Sequence, residues 1–300
     1  MSANKRKAFT LIELLVVVSI IALLVSVLIP ALSTAKQLAT GTVCLTNQKG
    51  LIMAWRMYAD DNADRIVNGD AQQNEQNGYD RSKRGAPWVG VPIDENGDTV
   101  NSTKFSTTFA DRLRGLRKGA LGSYTGQAAE LYHCPGDNRE VLGTRHGHEP
   151  RYQIYRSYSI TRVMSTHAGP DGNLEIFVLS DVRQPGSTVV FVEMAYDGGA
   201  SSTVGAGNRN YNSGRFNFLG KTLYAWWAPL AQFHHCATTF SFADGHAEMR
   251  KWVEERTCEY HKDRWGPLNT IFRQQTIDNG QTGDSPDMDW MIKHIGGKYK

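Results

Sequence analysis

The sequence predicts an α+β fold in which one long N-terminal helix packs against an antiparallel β-sheet head with long loops. An apolar run over 9–29, followed by apolar residues at helical spacing, predicts the helix. Segments 187–194 and 238–250 are rich in β-branched and aromatic residues, which predicts strands. The 300 residues include 29 glycines, which favours a loop-rich body, and the length suits one large domain.

The first part of the helix is long and apolar enough to cross a membrane. From Phe9 to Ile29 only Glu13 is charged, and about 20 apolar residues span a hydrocarbon core. The basic residues 5–7 precede this run, and such residues tend to stay in the cytoplasm. We therefore expect a single-pass anchor in the inner (cytoplasmic) membrane, with the N-terminus in the cytoplasm and the C-terminal head in the periplasm.

The second part of the helix is predicted to pack on the head. Pro30 removes one helical hydrogen bond and predicts a kink. The run Asp60-Asp61-Asn62 is predicted to end the helix. Apolar residues recur at helical spacing between these points: Leu45, Leu51, Ile52, Trp55, Tyr58 and Ala59. The chain then divides into a transmembrane helix over 9–30, an extramembrane part of the same helix over 31–62, and a globular head over 63–300.

The head is predicted to contain short elements separated by polar loops. Segment 187–194 is the predicted central strand. The other predicted elements are a helix over 109–121, an edge strand over 131–134, a strand over 152–164, and a C-terminal helix capped by Ser285 with Pro286 in its first turn. The polar, Gly-rich segments 69–104 and 197–214 are predicted to be exposed loops.

A β-hairpin is predicted around the dipeptide Asp244-Gly245. This dipeptide between two alternating runs favours a two-residue type I′ turn with Asp244 and Gly245 at its centre. The resulting register pairs Phe242 with Ala247 and Phe240 with Met249 on the face that is turned to the core.

The N-terminal segment resembles the start of bacterial class III prepilins, which are the type IV pilins and the type II secretion pseudopilins. The resemblance rests on a short basic leader followed by the run Ala8-Phe9-Thr10-Leu11-Ile12-Glu13. It implies a leader peptide over 1–8, cleavage between Ala8 and Phe9 by a prepilin peptidase/methyltransferase, and N-methylation of Phe9. Ala8 stands where the family usually has glycine, and both residues are small.

Glu13 is a carboxylate within an apolar span, where a charge usually has a partner. The resemblance implies that Glu13 neutralises the N-terminal amine of a neighbouring subunit during assembly. The alternative is a glutamate near the interface that extends to water. A plain signal anchor likewise explains the charge and length of this segment, but it does not explain the run Phe-Thr-Leu-Ile-Glu.

A second resemblance lies in the head. His234, nine intervening residues and Asp244-Gly245 resemble the H-X9-DG segment of a large group of bacterial prepilin-like proteins. Looser landmarks of the same resemblance are Asn47, the run over 58–62, the run over 134–137 and Ser157-Tyr158. This resemblance implies membrane and assembly context rather than a reaction. We expect His234 to have a structural role at the open end of the hairpin, near Glu254 or Glu255 if the strand pairing extends that far.

Four cysteines lie in the part of the chain expected outside the cytoplasm, where disulfides persist. They allow three connectivities. The sequence favours the pairs Cys236–Cys258 and Cys44–Cys134, and four free thiols are the alternative.

Composition and motifs argue against several functional classes. The net charge of +3 equals the charge of residues 5–7, so removal of the leader leaves a neutral chain, and no basic stripe indicates a nucleic-acid partner. The groups His133-Cys134, His234-His235-Cys236 and Asp244/His246 lack the spacing of a zinc motif, so no metal site is predicted. Acidic runs over 60–64 and 94–98 lack the calcium-loop pattern and favour ordinary turns. Neither a nucleophile elbow nor a phosphate loop is present, which predicts no enzyme and no cofactor.

The function that fits these observations is that of a pilin-like structural subunit, or pseudopilin, of a type II secretion-like or type IV pilus-like machine. Its expected partners are the prepilin peptidase/methyltransferase, other pilin-like subunits and the membrane. The alternative is a membrane-anchored ligand- or carbohydrate-binding protein, in which Trp226 and Trp227 stack on sugar rings. A role of this tryptophan pair in the core or at a partner interface competes with that alternative.

Overall fold

The structure is a computed structural model, and it describes most of the chain in separate ranges. These are 10–69, 85–100, 108–137, 140–141, 152–153, 156–164, 176–194, 215–216, 230–231, 233–255, 257–258 and 285–295. The predicted cleavage site at Ala8 and Phe9, the pair Trp226 and Trp227, and the predicted loop 197–214 lie outside the described residues.

Helix α1 runs from Leu11 to Asp61 and is continuous through Pro30. Thr10 caps its start: the Glu13 amide donates to the Thr10 hydroxyl (3.3 Å), and the Thr10 amide donates to the Glu13 carboxylate (2.8 Å). Asn62 forms the C-cap, so the helix ends at the predicted acidic run. Its first part is long and apolar enough to cross a membrane, and none of its most apolar 18-residue window is buried in the head.

The second part of α1 packs on the head along one face. Its buried residues recur three or four apart along one face of the helix: Gly41, Cys44, Asn47, Gln48, Leu51, Ile52, Ala54, Trp55, Tyr58 and Ala59. Leu45, which the helical spacing had included, is half-buried. Arg56 extends from the same region and donates to the carbonyl of Ala243 at 2.9 Å. The long helix is therefore both an exposed apolar segment and part of the core of the head.

A five-stranded sheet forms the centre of the head. In chain order the strands are β1 Glu140–Val141, β2 Tyr152–Gln153, β3 Tyr158–Thr161, β4 Val189–Glu193, β5 Arg215–Phe216, β6 Ala237–Phe242 and β7 Ala247–Lys251. β1 and β2 form a separate pair, and the sheet has the order β5-β3-β4-β6-β7. Strands β3, β4, β6 and β7 are antiparallel, whereas β5 pairs parallel to β3. The α+β prediction is confirmed, with β4 at the centre of the sheet as the sequence predicted.

Both faces of the sheet are covered. Successive residues of a strand point to opposite faces, and every residue of β6 is buried. Thr239 contacts Gln48 on the α1 side, whereas Phe240 and Phe242 belong to a second core with helix α3, Pro286–Ile295. Val190 forms a β-bulge in β4, because Val189 pairs with Phe242 and Phe191 pairs with the adjacent Ser241.

The hairpin between β6 and β7 differs from the predicted one. Phe240 pairs with Glu248 and Thr239 with Met249, one residue away from the predicted register. The Gly245 amide donates to the Phe242 carbonyl (2.9 Å), and Gly245 is the one hairpin residue with positive φ, at +99°. Such a three-residue loop is a type I turn followed by a glycine bulge. The predicted type I′ turn, with Asp244 and Gly245 at its centre, was therefore wrong.

The remaining element predictions met mixed outcomes. Helix α2, Phe109–Lys118, and helix α3 lie where the sequence predicted helices, and the Ser285 hydroxyl accepts from the Met288 amide at 3.2 Å. The predicted edge strand over 131–134 was wrong, because residues Ala129–Tyr132 form a 3₁₀-helix. The predicted exposed loop 69–104 contributes Trp88, which is fully buried against Phe191 at a centroid distance of 5.3 Å.

Candidate functional site

Four buried side chains with metal-ligating atoms meet between α1 and the sheet. They are Cys44 of α1, Cys134 after the 3₁₀-helix, Glu193 at the end of β4, and His234 before β6. Their relative exposures are 0%, 0%, 0% and 2%, and their ligating atoms all lie within 4.8 Å of one another. We call these four residues the Cys–His–Glu cluster.

The loop that carries Cys134 is fixed to α1 by a neighbouring side chain. Asn47 lies one turn after Cys44, and its amide donates to the carbonyls of Glu130 (3.2 Å) and His133 (3.1 Å). This contact places Cys134 against α1, and the Cys44 and Cys134 sulfurs are 2.7 Å apart.

Cys134 begins a tight turn that explains the run Cys134-Pro135-Gly136-Asp137. The Asp137 amide donates to the Cys134 carbonyl at 2.9 Å, and the Gly136 amide donates to the Cys134 sulfur at 3.3 Å. Ser157 holds the turn in place, because its hydroxyl donates to the Asp137 carboxylate (2.7 Å) and accepts from the Cys134 amide (3.0 Å). A backbone amide directed at a sulfur stabilises negative charge on that sulfur.

His234 turns one ring nitrogen to the cluster and the other to α1. Its Nε2 lies 3.2 Å from Glu193 Oε1 and 3.5 Å from Cys134 Sγ. Its Nδ1 lies 3.3 Å from the Gln37 carbonyl oxygen and 3.4 Å from the Thr40 hydroxyl. A carbonyl only accepts, so Nδ1 carries a proton and Nε2 is the nitrogen that serves the cluster.

Glu193 is a buried carboxylate with a defined partner on each oxygen. Oε1 faces His234, while Oε2 accepts from the Thr239 amide at 3.3 Å and the Thr239 hydroxyl at 3.2 Å. A buried carboxylate is costly unless it is paired and hydrogen-bonded. His234 Nε2, at 3.2 Å from Oε1, is such a partner.

The electrostatics agree with this geometry. Burial lowers the pKa of His234, but its interactions with Cys44 and Glu193 outweigh burial and raise that pKa to about 10. Burial raises the pKa of Cys134, and a hydrogen bond from Cys134 lowers the pKa of Cys44. Burial and the charge of Glu193 also raise the pKa of the nearby Tyr158 hydroxyl well above its ordinary value.

The four cysteines fall into two different pairs. Cys236 and Cys258 form a disulfide with a Cα–Cα distance of 5.4 Å. Cys44 and Cys134 are adjacent but are separate thiols, whereas the sequence favoured a disulfide between them. Their partners Glu193 and His234 lie on the same side of α1, so the pair is part of a larger polar group.

The structure separates the other residues that the sequence singled out. The paired residues of β6 and β7 end at Ala237 and Lys251, so the condition for placing His234 near Glu254 or Glu255 is not met; its carboxylate partner is Glu193. Asp244 instead pairs with His246, Oδ1 to Nδ1 at 2.6 Å, at the exposed hairpin turn. Sequence reasoning missed Glu193, although a carboxylate closing the apolar run 189–192 of a central strand was a usable signal.

The acidic runs considered for calcium bond backbone amides. Asp94 Oδ1 accepts from the amides of Asn96 and Asp98, both at 2.9 Å, which is the local contact of an ordinary turn. Asp64 Oδ2 accepts from the amide of Ser180 at 3.0 Å, a residue remote in sequence.

The second candidate site is the start of α1, where Glu13 closes the capping box of Thr10. Residues 3–29 match the model of the prokaryotic N-terminal methylation motif. The chain carries a prepilin-type N-terminus. With its long apolar helix, the chain fits a type IV prepilin-like protein. The matched residues end within α1, so the match describes the start of the helix and not the head. No curated protein and no solved structure matches the chain.

Proposed function

We propose that this prepilin-like chain is a pseudopilin-type structural subunit of a type II secretion-like or type IV pilus-like machine. The observation that carries the proposal is the methylation motif at 3–29, joined to a continuous helix that enters the core of the head. This motif belongs to a structural rather than a catalytic class of protein. The alternative of carbohydrate binding rests on Trp226 and Trp227, which the described residues do not include.

The exposed part of α1 gives the proposal a physical basis. Apolar side chains from Leu11 to Leu32 are exposed all around the helix, with Leu11 81% exposed. An apolar surface of this length needs a covering of lipid or of other helices. A subunit that moves from the membrane into a bundle of identical helices keeps this surface covered throughout, by lipid before assembly and by neighbouring helices after it.

Glu13 is placed to take part in that assembly. Both Thr10 hydrogen bonds to the Glu13 carboxylate go to Oε2. Among the described residues Oε1 therefore remains available to the methylated amine of Phe9 on a neighbouring subunit. That contact would pair two charges in an apolar environment, where each alone is costly.

The proposed location is the inner membrane, with the head on the extracytoplasmic side. The basic residues 5–7 favour a cytoplasmic N-terminus. The Cys236–Cys258 disulfide supports a head outside the reducing cytoplasm.

Processing in cells that contain a prepilin peptidase tests the proposal. Intact-mass and N-terminal analysis of the membrane-extracted chain should show a chain beginning at N-methyl-Phe9. Ala8→Glu should leave the leader attached, and Ala8→Gly should be cleaved at least as well as the native chain. An uncleaved native chain, in cells that process a known prepilin, would falsify the proposal.

A further inference from the structure

We propose that the Cys–His–Glu cluster is a closed structural zinc site, with Cys44 Sγ, Cys134 Sγ, His234 Nε2 and Glu193 Oε1 as its four ligands. Zinc takes sulfur, imidazole nitrogen and carboxylate oxygen, and its structural sites are four-coordinate. Two soft sulfurs combined with an imidazole favour zinc over calcium or magnesium, which prefer oxygen ligands. The proposal concerns the head alone and does not depend on the proposed function.

Two distances between ligand atoms are close to those of a tetrahedral site, and all four ligand atoms lie within 4.8 Å of one another. Zinc–ligand distances of about 2.0–2.3 Å place neighbouring ligand atoms about 3.3–3.8 Å apart in a tetrahedron. His234 Nε2 lies 3.2 Å from Glu193 Oε1 and 3.5 Å from Cys134 Sγ. The two sulfurs, now 2.7 Å apart, must separate by about 1 Å.

Three of the four ligands are already oriented by outer contacts. His234 donates from Nδ1 to the Gln37 carbonyl, which leaves Nε2 for the metal. Cys134 accepts from the Gly136 amide, and Glu193 accepts from Thr239 through its second oxygen. Outer-shell hydrogen bonds of this kind fix the tautomer and direction of ligands in zinc sites.

The burial of all four ligands makes the site structural rather than catalytic. A catalytic zinc keeps one position for water or substrate, whereas here the fourth position belongs to a buried protein side chain. The metal would displace the Nε2 proton of His234 and the thiol protons of Cys44 and Cys134, all of which are released to solvent. It would join α1, the turn after the 3₁₀-helix, β4 and the entry to β6 at one point. Metal affinity would then contribute directly to the stability of the head.

The rival occupant of this space is a Cys44–Cys134 disulfide, which leaves His234 and Glu193 as an isolated ion pair. The two states differ in metal content and in thiol count. The metal-loaded chain has one zinc, one disulfide and two thiols, whereas the rival has two disulfides and neither metal nor thiol.

Zinc and thiol analysis of the full chain in detergent tests the proposal. The chain is purified without chelator from cells grown with zinc, and zinc per chain is measured by inductively coupled plasma mass spectrometry. Thiols are counted by alkylation after unfolding. We expect one zinc and two thiols per chain, and a melting temperature that falls with a chelator and recovers with zinc alone. Absence of zinc, with either thiol count, overturns the proposal.

Variants distinguish ligation from general stability. His234→Ala and Glu193→Gln should lose the bound zinc, whereas a Cys236→Ser/Cys258→Ser variant should keep it. Thr239→Val removes the hydroxyl that bonds Glu193 and contacts Gln48 but keeps the amide bond to Glu193. It should weaken zinc affinity about 10-fold or more. If a variant fails to fold, the native chain can be tested with cobalt in place of zinc. Cobalt bound to thiolates gives a charge-transfer absorption, which would show that the cysteines are ligands. A cobalt spectrum without that absorption also overturns the proposal.

Discussion

The hairpin turn between β6 and β7 can be tested by substitutions at two neighbouring residues. In the structure Gly245 occupies φ +99°, whereas Asp244 has no positive φ. In the predicted type I′ turn both residues need positive φ. Replacement of Gly245 therefore measures the strain common to both turns, and replacement of Asp244 reports which turn the chain adopts.

Gly245→Ala should destabilise the head through backbone strain alone. A Cβ at this position would lie 3.6 Å from Arg56 Cδ and from Met53 Sδ, which is ordinary contact, so no clash is added. The left-handed backbone costs a residue with a Cβ about 1–2 kcal/mol. One kcal/mol corresponds to about 2–4 °C in a domain of this size, so the melting temperature should fall by about 2–8 °C. Gly245→Asn should lose less, because asparagine tolerates positive φ better.

Asp244→Gly is the discriminating variant. In the structure the Asp244 carboxylate accepts from the His246 amide at 3.1 Å and lies 2.6 Å from His246 Nδ1, and the substitution removes both contacts. The lost amide bond alone is worth about 0.5–1.5 kcal/mol, and added backbone freedom costs about 0.4–1 kcal/mol more. Thermal unfolding of the full chain in detergent, followed by circular dichroism, should show a lower melting temperature. A higher melting temperature for Asp244→Gly would indicate a type I′ turn and would refute this reasoning.

Three other predictions follow from contacts in the anchor and the head. Glu13→Gln should insert into the membrane but lose subunit crosslinking. Thr10→Ala, which breaks only the capping box, should keep that crosslinking. Equal crosslinking in both variants would show that Glu13 is not part of the assembly interface. Phe240 is fully buried against Trp290 at a centroid distance of 5.0 Å, so Phe240→Ala should cost about 3–5 kcal/mol in denaturant unfolding, and a loss below 1 kcal/mol would contradict the second core. Burial opposes ionisation of Asp111, but hydrogen bonds from Thr108 and Arg114 outweigh it and lower the pKa of Asp111 below its ordinary 3.8. The stability from this carboxylate is present above pH 3.8 and is lost as pH falls through the lowered pKa. As pH is lowered through that range, the melting temperature of Asp111→Asn should therefore decrease less steeply than that of the native chain.

The long helix and the central strand could be predicted because their signals are local and strong. The apolar run from Phe9 and the helical spacing of apolar residues up to Ala59 both predict a helix. The capping residue Ser285 is a local signal of the same kind, and it predicted α3. The short element over 131–134 was misassigned, since four residues with two apolar side chains fit a strand and a 3₁₀-helix equally well.

The hairpin register could not be fixed from the sequence because both faces of β6 are buried. A slip of one residue usually exposes the apolar set, and this penalty specifies the register. In β6, however, a slip of one residue would only move the apolar side chains from one face of the sheet to the other. Both faces are buried, one against α1 and one against α3, so neither register exposes them. The polar Thr239 side chain is satisfied on the α1 side by Gln48 and Glu193, two partners that are remote in sequence.

The Cys–His–Glu cluster was beyond sequence reasoning for a related reason. Cys134 is 90 residues from Cys44 and 100 residues from His234, so no motif spacing joins them. The cluster exists because Asn47 holds the Cys134 turn on α1 and the sheet places Glu193 beside the entry to β6.

Continuity of α1 fixes the direction in which the head faces. The helix first meets the head at Gln37 and Thr40, which contact His234, so about six exposed residues separate the apolar span from the head. In a helix each residue adds about 1.5 Å and about 100° of rotation. The number of residues in this spacer therefore sets the azimuth of the head about the helix axis. One inserted residue would move the head only slightly along the helix axis. The accompanying rotation would turn a different side of the head toward neighbouring copies in the proposed assembly.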